Sequence, residues 1–407
     1  MKGRLWAAWF VAWCSLLTAR GAEGPPLVLI SLDGFRWNYC AQHPAETTHL
    51  RALAREGVTA RGLIPVFPSN TFPNHYAIVT GLYPSHHGII NNVMFDPQLG
   101  EFFRYNTPAS SRDGRWWNGE PIWVTAEKQG LRSACYFWPG SEALIENTRP
   151  TYFKPFNKST SFDARLEETI GWLKLPEGRR PRMVTFYIED TNGAGHLSGP
   201  ESAGITTAVK RVDAEVGEFA SRLKREGLVA NLVIVSDHGM TACDDHRVVF
   251  LDDYLEMAQV QVDFEQTVVG LRPTGGQDVA GLLRALAQLP PQAKAYRAED
   301  LPARYHIDAR NPRVPPVWIL PMEGWQVMRR SLFNVLQAKF DRGQHGYDPG
   351  LASMRGIFIA NGPAFQSGVE LEPFENVHLY NLLCATLGLT PAPNDGDDRL
   401  VKSALRD

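Results

Sequence analysis

Thr71 carries a hydroxyl just ahead of Pro73, a residue suited to the first turn of a helix. The same stretch, Pro68 to Asn92, holds His75, His86 and His87. A threonine hydroxyl is a poor nucleophile alone. Beside a metal its pKa falls, and a helix N-terminus near Pro73 adds partial positive charge and N–H donors for a phosphate. Three other segments offer ligands for such a metal: Ser31-Leu32-Asp33-Gly34, Ser236-Asp237-His238-Gly239 and Gly343-Gln344-His345-Gly346. Asp and His are ordinary ligands of zinc, and two metals held close together clamp the attacking and leaving oxygens of a phosphoryl displacement. These residue types point to attack of a hydroxyl on phosphorus with a covalent intermediate. His75, His86 and His87 are expected as packing or surface residues.

For these segments to meet, the chain must present them at one edge of a sheet. Leu27 to Leu32 is a compact apolar run, and Thr48 to Glu56 repeats apolar residues at helical spacing up to Gly57, which together read as a βα unit. Val184 to Ile188 and Leu232 to Val235 are short apolar runs without alternation, as in strands buried on both faces of a parallel sheet. Between them Ile205, Ala208, Val212, Val216, Phe219 and Leu223 recur every three or four residues, the pattern of an amphipathic crossover helix. Gly356 to Ala360 reads as a late strand and Tyr380 to Leu387 as a closing helix. Residues 252–330 are less regular and are expected to form a smaller inserted subdomain of strands and turns. Asp33, Asn192, His196, Asp237 and His238 all follow strands in this reading, and ligands of open α/β sheets gather outside the carboxyl ends of the strands.

Hydrophobic residues make up 44% and charged residues 21% of the 407, an ordinary globular balance. The net charge of −3 argues against a broad nucleic-acid-binding face, so phosphate handling is expected to come from metals. Met1-Lys2-Gly3-Arg4, the apolar Leu5 to Leu17 and Ala19-Arg20-Gly21 have the order of a secretory signal over residues 1–21. The apolar stretch is shorter than a membrane span needs, so a secreted chain, extracellular or periplasmic and without a transmembrane segment, is expected. Cys40, Cys135, Cys243 and Cys384 remain after Cys14 leaves with that segment, either as one or two disulfides or as buried thiols; no CxxC suggests a thiolate zinc. Asn157-Lys158-Ser159 is a glycosylation sequon, meaningful only if the chain is made in a eukaryote.

Several longer motifs carry a resemblance. Thr71 to Pro84 (TFPNHYAIVTGLYP), His87-Gly88-Ile89-Ile90, Gly119-Glu120-Pro121-Ile122-Trp123, Phe137-Trp138-Pro139-Gly140-Ser141, Ser236 to Met240 and His345-Gly346-Tyr347 resemble the nucleotide pyrophosphatase/phosphodiesterase family of the alkaline phosphatase superfamily. The match runs in order from about Leu27 to about Asn394, and is similar to the single-domain kind of member. The resemblance implies an α/β catalytic domain over residues 22–407, built on an alkaline-phosphatase-like, mostly parallel sheet flanked by helices. It implies two zinc ions. Asp33, Thr71, Asp237 and His238 match the ligands of one, with Thr71 as nucleophile, and His196 and His345 match ligands of the other. Asn92 matches the residue that bonds a non-bridging phosphate oxygen, while Phe72 and Tyr187 are expected against a nucleotide base, or, for Tyr187, as a core aromatic beside the metals.

One position departs from the family. Its second zinc takes an Asp four residues before the His of a Gly-His pair, and here that residue is Asn192. A neutral amide is a weaker ligand than a carboxylate, so the second metal is expected to be weakly held, exchanged or absent; Asp190 is a substitute two residues out of register. The expected function is an exported zinc-dependent hydrolase that cleaves phosphodiester or pyrophosphate bonds and releases a nucleoside 5′-monophosphate through a phosphothreonine. The alternatives are a choline-phospholipid phosphodiesterase and a catalytically weak binding protein lacking the second metal.

Overall fold

A computed structural model describes residues 24–406; the expected signal segment lies outside the described residues. Eight strands form the central sheet: β1 (Leu27–Leu32), β2 (Val58–Ala60), β3 (Ser133–Tyr136), β4 (Tyr152–Lys154), β5 (Met183–Ile188), β6 (Asn231–Val235), β7 (Phe358–Asn361) and β8 (Val369–Leu371), in the order β8-β2-β7-β6-β1-β5-β3-β4. All pairings are parallel except those of β7, which runs antiparallel to both β6 and β2. The sheet is therefore mostly parallel, as the sequence suggests, and helices cover both faces.

The period of two along β1 divides the core. Leu27 and Leu29 join the apolar cluster on one face, Val28, Ile30 and Leu32 the cluster on the other, and all are essentially fully buried. Each such side chain contributes about 1.5–3 kcal/mol on burial. Helix α1 (Thr71–Thr80) lies on the first face, and α2 (Asp190–Ser198) leads into the crossover α3 (Ala203–Arg225), whose Ile205, Val209, Val212, Val216 and Phe219 pack on the second. The helix Thr48–Glu56 stops at Gly57 as its sequence predicts.

Residues Val260–Phe264, Val269–Pro273, Val317–Pro321 and Ala293–Arg297 form a separate four-stranded antiparallel sheet with its own apolar cluster and the helix Val279–Leu286. Thr267, in the turn between its first two strands, lies against Gly346. At Gly346, φ is +105° and a Cβ would lie 2.3 Å from Thr267 Oγ1, so only glycine lets the chain turn there after His345. Cys40, Cys135, Cys243 and Cys384 are all free thiols. Among the described residues no helix is long and apolar enough to cross a membrane.

Candidate active site

Register brings the site together. Ser31 of β1 lies level with Tyr187 of β5 and Val235 of β6, so the residues that follow leave the sheet at one edge. Asp33 donates its N–H to the Ile188 carbonyl (2.9 Å), Gly34 donates to Asp237 Oδ1 (3.2 Å) and Thr191 Oγ1 donates to the Asp33 carbonyl. Gly34 has φ +68°, and a Cβ would sit 3.0 Å from Asn192 Cα, so β1 and α2 approach as closely as they do because no side chain intervenes.

Four sequence-predicted ligands meet here. His238 Nε2 lies 3.4 Å from Asp33 Oδ1, 3.1 Å from Asp237 Oδ2 and 3.3 Å from Thr71 Oγ1. Asp33, Asp237 and His238 are buried, and their ligand atoms all lie within 4.8 Å of one another. Asp33 Oδ1 and Asp237 Oδ2 accept no hydrogen bond despite their burial. Two adjacent carboxylates held from water in this way are costly unless a cation joins them, and the oxygen and nitrogen donors suit zinc.

A second group adjoins the first. His345 stacks on His238 with ring centroids 3.6 Å apart, and His196 stands 5.1 Å from His345. His238, His345 and His196 each place Nδ1 on a backbone carbonyl, those of Gly239 (2.8 Å), Ser69 (3.0 Å) and Gly343 (3.0 Å) respectively. This fixes the tautomer and leaves Nε2 as the atom each ring could offer a metal. Asn192 and His196 line the same cavity, and the buried Asn192 Oδ1 accepts no hydrogen bond. Asp190 does not line the cavity; it pairs with Arg211 at 3.0 Å, because two residues along α2 from Asn192 the side chain leaves on the other side of the helix.

The electrostatics follow from burial. Burial first, and then the neighbouring Asp237, push the Asp33 carboxyl up to about 7. At His238 burial opposes the charged ring, but Asp237 and Asp33 outweigh it and raise the group to about 9. Burial, with His238 and His196 nearby, holds His345 well below the ordinary imidazole range, so it stays neutral.

Thr71 is the first residue of α1, so the helix begins two residues before Pro73, which occupies the first turn where its missing N–H costs little. The turn offers fewer free donors than the sequence suggests. Phe72 N–H bonds Asn92 Oδ1 (2.8 Å), Pro73 has none, and Asn74 N–H goes to the Asn70 carbonyl. With its oxygen engaged, Asn92 presents its amide NH2 to the cavity it lines.

That cavity has a volume of about 510 Å³ and opens over Asp33, Thr71 and His345. Two aromatic groups line it. Phe72 packs against Tyr105 and Trp117, while Phe156 packs against Phe137 and Tyr187. Tyr187 lines the cavity, but its hydroxyl donates to Asp33 Oδ2; burial first and then Asp33 raise its pKa and keep the proton on it. Its polar end therefore positions a carboxylate, and Phe156, 42% exposed, offers the larger open ring.

Two residues escape the sequence reading. His75 is fully buried against Ser31 and Asp237; the i+4 spacing from Thr71 was the available signal. Phe156 sits in a loop with no periodicity to mark it. His87 is a buried packing residue and His86 a half-exposed partner of Asp395, as expected.

The fold and much of the sequence are shared with known proteins. A venom phosphodiesterase of Macrovipera lebetinus is 39% identical over 95% of this chain and 46% of its own length. Human ectonucleotide pyrophosphatase/phosphodiesterase family member 1 is 37% identical over 95% of this chain and 42% of its own. The chain thus spans about half the length of the curated relatives it matches. Murine ectonucleotide pyrophosphatase/phosphodiesterase 5 superposes with a TM-score of 0.88 at 34% identity, over 94% of this chain and 100% of that one. An inactive variant of that protein, with one threonine replaced by alanine, is solved in complex with AMP. The sequence profile of type I phosphodiesterase/nucleotide pyrophosphatase matches residues 27–348, from the strand before Asp33 to beyond His345, and the chain belongs to that family.

Proposed function

We propose that this chain is an exported, zinc-dependent nucleotide pyrophosphatase/phosphodiesterase that forms a phosphothreonine ester at Thr71 still carrying the nucleoside, and then releases a nucleoside 5′-monophosphate. The observation that carries the reading is Thr71 Oγ1, 3.3 Å from His238 Nε2, in an aromatic-lined cavity beside two buried carboxylate oxygens that accept no hydrogen bond. Asp33, Asp237, His238 and Thr71 would hold one cation, and Asn192, His196 and His345 a second. Such ions supply positive charge that lowers the hydroxyl pKa and offsets the phosphate. Thr71 Oγ1 gives up its proton and bonds phosphorus while the bond to the leaving oxygen breaks; water then attacks phosphorus, the Oγ1–P bond breaks and Thr71 regains a proton. Asn92 offers its amide NH2 to a phosphate oxygen. Phe72 and Phe156 offer faces for a base, each stacking contact worth about 1–3 kcal/mol.

The relatives support this reading by their names, and the murine neighbour, inactive with a threonine exchanged and holding AMP, behaves as loss of a threonine nucleophile would predict. Export is read from residues 1–21 and agrees with the venom relatives.

The test is a paired assay of the nitrophenyl ester of thymidine monophosphate against nitrophenyl phosphorylcholine, with and without chelator. The expected result is faster turnover of the thymidine ester, abolished by chelator and restored by zinc. Faster turnover of the choline ester sinks the nucleotide assignment, and undiminished turnover in chelator sinks the metal.

A further inference from the structure

The second cation position is short of charge as assembled so far. Asp33 and Asp237 bring two negative charges to the first position, whereas Asn192, His196 and His345 are all neutral donors. A divalent cation held by neutral groups alone, beside another of the same charge, is poorly compensated.

The helix that carries Asn192 and His196 supplies the missing group. Glu189 is the residue that opens α2, with φ −102° and ψ −4°, so it continues the helical path backwards by one residue. Glu189, Asn192 and His196 then stand at i, i+3 and i+7, the spacing of one helix face, and all three line the cavity with His345. Among the described residues the Glu189 carboxylate makes no hydrogen bond or ion pair, and its Oε2 is buried. The adjacent Asp190 and the nearby Glu215 are both paired with Arg211, so the arginine of this region serves them instead. Asn192 Oδ1 is the other buried oxygen on this face without a partner. Two such oxygens one helical turn apart, lining one cavity with two imidazoles whose Nδ1 atoms are engaged elsewhere, form a donor set with an anion in it.

We propose that Glu189 supplies the anionic group of the second cation position in place of the carboxylate that Asn192 lacks. The proposal rests on the metal-centre reading above. With Glu189 counted, three carboxylates face two divalent cations, leaving one unit of positive charge.

The test is zinc titration by calorimetry of the full chain, dialysed against chelator and then into buffer. Two classes of site are expected in the unaltered protein. Glu189→Gln, close in shape, and Glu189→Ala weaken the second class at least ~10-fold and leave the first unchanged, as loss of a group next to a metal does. Asp190→Asn changes neither class, and adding Asn192→Asp to Glu189→Gln restores the second. Thermal melts check that each variant is folded. A single class of zinc in the unaltered protein, or two classes untouched in folded Glu189 variants, overturns the proposal and leaves the first metal position standing. No zinc binding at all removes the metal-centre reading itself.

Discussion

His75 stands one helical turn after Thr71, and its Nδ1 lies 2.9 Å from the Thr71 carbonyl and 3.3 Å from Asp237 Oδ2. Its Nε2 lies 2.8 Å from Ser31 Oγ on β1. One ring thus ties the start of α1, which carries Thr71, to Asp237 after β6 and to Ser31 on β1. His75 touches no open part of the cavity, so it acts by positioning.

His75→Ala is expected to lower turnover and zinc affinity about 10- to 100-fold, the range for groups that orient metal ligands. His75→Asn, which retains an N–H near the Nδ1 position, should recover part of both. Calorimetry and turnover on the same samples check this; equal affinity in all three proteins removes the positioning role.

Folded Thr71→Ala is expected to lose at least ~10³ in turnover, leaving only binding and electrostatic assistance. Brief mixing of the unaltered protein with substrate, acid quench and peptide mass spectrometry should find a nucleotidyl adduct on Thr71 and none in the variant. Near-normal turnover of the variant ends the assignment.

Zinc affinity is expected to rise with pH. Asp33 is raised to about 7 and His238 to about 9, and the metal takes both without their protons. Below about 7 both are protonated and must release protons on binding, between about 7 and 9 only His238 must, and above about 9 the dependence flattens. Competition against a coloured chelator over this range reads the slope; a flat profile contradicts the assignment of these groups as ligands.

Phe72→Ala and Phe156→Ala should each cost about 1–3 kcal/mol with nucleotide substrates, mainly in KM. Tyr187→Phe should behave differently, because its hydroxyl serves Asp33: the loss is expected in zinc affinity and turnover, with KM little changed. A simple bis-nitrophenyl diester separates the two, since it has no base to stack. Equal losses on that substrate in the phenylalanine variants would contradict base stacking.

Acid is expected to destabilise the fold through His87. Burial holds this ring at about 3 against an ordinary value of 6.5, so the unfolded chain binds a proton that the folded one excludes. Stability from His87 is full above about 6.5, falls as pH drops towards about 3 and is constant below. His87→Gln, with no titrating group, should lose less stability across that window in denaturant melts; an identical decline rules His87 out as the source.

The strands that carry the site were legible because burial on both faces leaves β1, β5 and β6 almost wholly apolar, with Ser31, Thr185 and Asn231 as exceptions, and the crossover helix because its apolar residues return every turn. The direction of β7 was not legible: pairing sense depends on the connection, and residues 252–330 hide it. Asp33, Thr71, Asp237, His238 and His345 stood out because each sits in a short polar motif after an apolar run or in a glycine turn. His75 did not, since its partners come from β1 and β6 and only the folded sheet brings them within reach. Nothing in the sequence sets Glu189 apart from Asp190, and only the helical phase of α2 separates the one that lines the cavity from the one that pairs with Arg211.

The bond from Tyr187 to Asp33 Oδ2 has a further result. With that oxygen committed to a phenol, Asp33 has Oδ1 alone to give, and it is a one-point donor. Calcium gathers six to eight oxygens and often takes both from one carboxylate, whereas zinc is content with four donors in a tetrahedron. A cation held by Asp33 would therefore find one oxygen there instead of two, and the tyrosine would make denticity a filter between the two kinds of ion.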